Sequence, residues 1–74
     1  MEELVRAIHE ELTDARKYTH MGDDMEYKTI AEQELSHAKI LIEVGDRHYA
    51  GDPIWDFERR LLCEDHRRAG QMLK

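Results

Sequence analysis

Two stretches of this chain carry residues meant for packing at alternating spacings of three and four, and that period decides the fold class. Met1, Leu4, Ile8, Glu11, Ala15 and Tyr18 follow one another at 3, 4, 3, 4 and 3. Tyr27, Ile30, Glu34, His37, Leu41 and Val44 do the same. A stripe with this period is the face of an α-helix that packs on other helices. Gly22-Asp23-Asp24 lies between the stripes, a Gly to stop one helix and an Asp to cap the next. Asp23 and Glu26 have the spacing of a capping box. The pattern predicts a first helix over about 2–21, with Glu2 and Glu3 at its positive end, and a second over about 24–44. Gly45-Asp46 either caps the second helix or bends it before Arg47, His48 and Tyr49. Ala50-Gly51-Asp52-Pro53 is a further boundary, with Asp52 as N-cap and Pro53 as the first helical residue. The third helix then covers about 53–73. The expected fold class is all-α, an antiparallel helical hairpin plus a third helix.

Each stripe has polar residues in its middle. In the first it is Glu11; in the second it is Glu34 and His37, a Glu-x-x-His pair. Residues three apart point the same way from a helix. Ala31, Leu35, Ala38 and Ile42 flank the second stripe and permit close approach of neighbours. A carboxylate and an imidazole at packing positions need a partner or a metal ion, and a break in an otherwise consistent pattern is where function is expected. So short a turn makes the first two helices antiparallel neighbours. Glu11 stands 12 residues before Asp23, and Glu34 and His37 stand 11 and 14 after it. At the rise of an α-helix all three lie about 16–21 Å from the turn. Two independent stripes thus put their polar residues at one level of the hairpin.

Glu11, Glu34 and His37 match half of the ligand list of a dinuclear site. A metal pair in a four-helix bundle takes a Glu from each of two helices and a Glu-x-x-His from each of the other two. A twofold dimer of hairpins supplies the set twice, with the axis through the site. The mixed oxygen and nitrogen ligands suit Fe or Mn, with Zn as an alternative.

Size points the same way. A chain of 74 residues has a small core and is marginal alone. Cys63 is the only cysteine, so no disulfide forms within the chain. A metal or a homodimer, or a higher homo-oligomer, is the expected source of added stability. The net charge of −6 argues against nucleic acid as a partner. No apolar run is long enough for a membrane span, so no membrane partner is expected. One cysteine and no signal-like apolar run at the start point to a reducing, cytoplasmic setting.

Glu11-Leu-Thr-Asp-Ala-Arg-Lys-Tyr18 and Ile30-Ala-Glu-Gln-Glu34-Leu-Ser-His37-Ala-Lys-Ile-Leu41 resemble the first half of a ferritin-like, rubrerythrin-type domain. In that family a Glu of the first helix falls seven residues before a Tyr, and the second helix carries Glu-x-x-His-Ala. The resemblance covers residues 4 to 44 and implies that Glu11, Glu34 and His37 are ligands of a di-iron site. It extends to the short encapsulin-associated ferritins, in which two chains share one ferroxidase site. What it implies is a single ferritin-like domain over 1–74, a dimeric four-helix bundle, and iron oxidation or peroxide reduction. The chain departs from the full-length pattern in having one further helix rather than a second ligand-bearing pair. The four-cysteine iron site that accompanies rubrerythrins is absent.

Other residues have competing readings. Glu10 replaces Glu11 as ligand if the first helix is rotated. Glu58 and Asp65 interrupt the apolar residues of the third helix and are either extra ligands or water-facing. Tyr18 and Tyr27 are placed to meet near the turn, as packing residues. His9, His20, His48 and His66 read as surface histidines. Trp55 and Phe57 are expected to pack on the hairpin or on a partner chain, and Trp55, Phe57 and Leu61 make the third helix a possible docking element for another protein.

Overall fold

The computed structural model describes residues 1–22 and 24–73. Three helices account for its regular structure: α1 (Glu2–His20), α2 (Met25–His48) and α3 (Pro53–Met72). Among the described residues there is no strand. Glu2 and Glu3 occupy the first turn of α1 and Lys17 and His20 its last, both complementing the helix dipole. Gly22 follows with φ +131°, a conformation closed to ordinary side chains. Asp24 caps α2 by accepting from the Glu26 N–H at 2.9 Å. The capping role expected of Asp23 lies outside the described residues. Asp52 caps α3, accepting from the Ile54 N–H at 2.9 Å, with Pro53 opening the helix as expected.

α1 and α2 pack on each other more extensively than either packs on α3. The core is Ile8, Leu12 and Ala15 of α1, Ala31, Leu35, Ala38 and Ile42 of α2, and Trp55, Leu62 and Ala69 of α3. This corrects the two stripes read from spacing. On α2 the buried line is the one expected to flank the stripe, and it extends to Gly45. Tyr27, Ile30, Glu34, Leu41 and Val44 are half-buried and His37 is exposed. On α1, Leu12 is buried, whereas Glu11 and Tyr18 are half-buried. The physical reason is α3. With two helices the most buried line of each faces the other; a third helix in the groove turns both toward it.

α3 lies on one side of the hairpin only. Arg16 of α1 donates to Asp65 Oδ1 at 3.3 Å. His66 Nε2 bonds to the Leu35 carbonyl at 2.9 Å. A carbonyl only accepts, so Nε2 is the donor. His66 is therefore an inter-helix tie, not the surface histidine its sequence context implied. At about 100° per residue, the α2 positions that meet α3 (Leu35, Asp46) and those of Glu34 and His37 fall on different sides of the helix.

α2 runs on to His48, the longer of the two ends that the sequence leaves open at Gly45-Asp46. Within this last stretch the Trp55 ring lies directly against Gly45, so closely that a Cβ there would enter the indole. Gly45 is thus a packing residue inside the helix. Trp55 is 1% exposed, and its indole N–H donates to Asp46 Oδ1 at 3.0 Å. Arg59 donates to the same oxygen at 2.7 Å. The Arg59 hydrogen bond, aided by that of Trp55, holds the Asp46 carboxyl below its ordinary range against the cost of desolvation. Gly45→Ala should therefore destabilise. Overpacking at so close a contact costs about 2–3 kcal/mol, and the gain in helix propensity returns about 1 kcal/mol. A fall in melting temperature of roughly 5–15 °C, read by circular dichroism, is the expected outcome; an unchanged or raised value would show that the indole moves aside freely.

Candidate metal centre

Glu11 comes from the middle of α1 and Glu34 and His37 from the middle of α2. Each of the three offers a ligand atom, and these atoms lie within 4.8 Å of one another. The level matching read from the turn is therefore realised in space. The group sits on the hairpin face away from α3, at the flank of the buried line. It is not deeply buried: the His37 side chain is 58% exposed and that of Glu11 28%.

Glu11 Oε2 is shielded from water and accepts no hydrogen bond. His37 Nδ1 is 3.7 Å from it, near enough for electrostatic attraction but too far for a hydrogen bond. An orphaned carboxylate oxygen is costly, and a proton on the facing carboxylate is one remedy. Glu34 accordingly has its pKa raised to about 7. The leading cause is the facing Glu11 carboxylate, to which a proton on Glu34 would let it donate. Desolvation and the charges of Glu11 and Asp14 add to it, and His37 opposes it. Glu34 thus keeps its proton closer to neutrality than an ordinary carboxyl does.

A cation is the other remedy. Ligand atoms at about 2.1 Å around one ion stand roughly 3–4 Å apart, so rotamer-scale closure brings these three into range. Two oxygens and one imidazole nitrogen fit Fe, Mn or Zn. The donor set and the orphaned oxygen fit a metal ion, with Glu11 and Glu34 as the oxygen donors and His37 as the nitrogen donor.

The other candidates lie elsewhere. Glu10 is exposed and lines a shallow groove with Arg6, His9, Thr13 and Asp14. Glu58 is on α3 beside Met1, Glu2 and Val5, and Asp65 is paired with Arg16; neither joins the triad. Tyr18 and Tyr27 meet near the turn, ring centroids 6.1 Å apart and tilted by 32°. Asp14 is the residue that the stripes do not reveal. Its charge reaches Glu34, and the signal for it in sequence is its position three residues after Glu11. In comparisons with protein-family models, characterised proteins and solved structures, nothing matches this chain.

Proposed function

We propose that this is a metal-binding protein of ferritin-like type, in which two copies meet on the triad face and share a dinuclear iron or manganese centre. The observation that carries the reading is the convergence of Glu11, Glu34 and His37 around a carboxylate oxygen that has no other partner. Around the triad, Leu4, Tyr18, Tyr27, Ile30, Leu41 and Val44 are only half-buried, and Ile40 is 57% exposed. The chain exposes 5260 Å², about 500 Å² more than a compact monomer of 8.8 kDa. A twofold axis through the triad opposes two sets of carboxylates, an arrangement that repels without cations and coheres with them.

A bound iron or manganese pair supplies one-electron chemistry toward O2 or peroxide. The chain's own part would be to hold the ions with the His37 imidazole and the Glu11 and Glu34 carboxylates, and to take up or release the Glu34 proton. A reducing, cytoplasmic setting belongs to the same reading.

Native mass spectrometry on protein expressed with added iron tests it. The expected species is a dimer carrying two metal ions, both lost in His37→Ala while helicity is kept. A metal-free species that iron loading leaves unchanged would reject the centre. Fe(II) turnover then separates an oxidoreductase from a non-catalytic assembly module: a metal-loaded dimer that leaves Fe(II) unoxidised assigns the chain to the second role.

A further inference from the structure

We draw no further inference here: the strongest candidate, the groove of 360 Å³ between α2 and α3 in which Cys63 and His66 lie beside Lys39, Glu43, Asp46 and Arg59, rests on a lone cysteine, and nothing else among the described residues points to a ligand there.

Discussion

Acidification should weaken metal binding and stabilise the metal-free protein at the same time. Ligation needs the Glu34 carboxylate without its proton. With a pKa of about 7, that proton lowers apparent Mn(II) affinity roughly 25-fold between pH 7.5 and 5.5. For the metal-free fold the sign is opposite. A carboxyl whose pKa is raised on folding, here from 4.5 to about 7, contributes stability that is complete below pH 4.5. That contribution is lost as pH rises through 7, because between those values the folded state binds more protons. The full shift corresponds to about 3 kcal/mol; solvent screening at a half-buried site reduces the expected change to about 1 kcal/mol. Calorimetric Mn(II) titrations and thermal melts of chelator-treated protein read the two trends. Glu34→Gln should flatten the second and weaken Mn(II) binding at every pH. Metal-free stability that rises between pH 5 and 7 would remove the Glu34 proton from the account.

Trp55→Ala should be the most damaging single substitution in the chain. It empties the largest fully buried side-chain volume and leaves Asp46 with one donor fewer. Loss of a buried Trp costs about 3–5 kcal/mol. A domain of this size has roughly 4–11 kcal/mol in total. The variant is expected to melt near or below 37 °C, read by circular dichroism. The Gly45 contact supplies an internal check. Adding a Cβ at Gly45 destabilises the native protein because the indole occupies that space. In the Trp55→Ala background the same change meets a void and should stabilise, by up to about 1 kcal/mol. If Gly45→Ala destabilises equally in both backgrounds, the glycine serves the backbone and not the ring.

The helices were legible because their signals are local. Asp52-Pro53 starts α3 wherever the rest of the chain goes, and Gly22 ends the first helical run, since caps and positive-φ turns depend on a few consecutive residues. The pairing of α1 and α2 was legible because so short a turn leaves antiparallel packing as the outcome. The common level of Glu11, Glu34 and His37 followed from rise per residue.

What stayed out of reach was rotation about the helix axes. A stripe of Ile30, Glu34, His37 and Leu41 and a stripe of Ala31, Leu35, Ala38 and Ile42 have the same period and differ by one residue, about 100° of arc. Sequence determined that α2 has an apolar side, that Glu34 and His37 share a direction, and that three helices would form. Only the tertiary structure decided which stripe is buried, because α3 arrives in the groove through contacts far apart in the chain. His66 reaches Leu35 across 31 residues and Arg16 reaches Asp65 across 49. The same docking gives Gly45 its role, since an indole pressed on it leaves no room for a Cβ, whereas read locally the glycine could as well have been a cap or a bend.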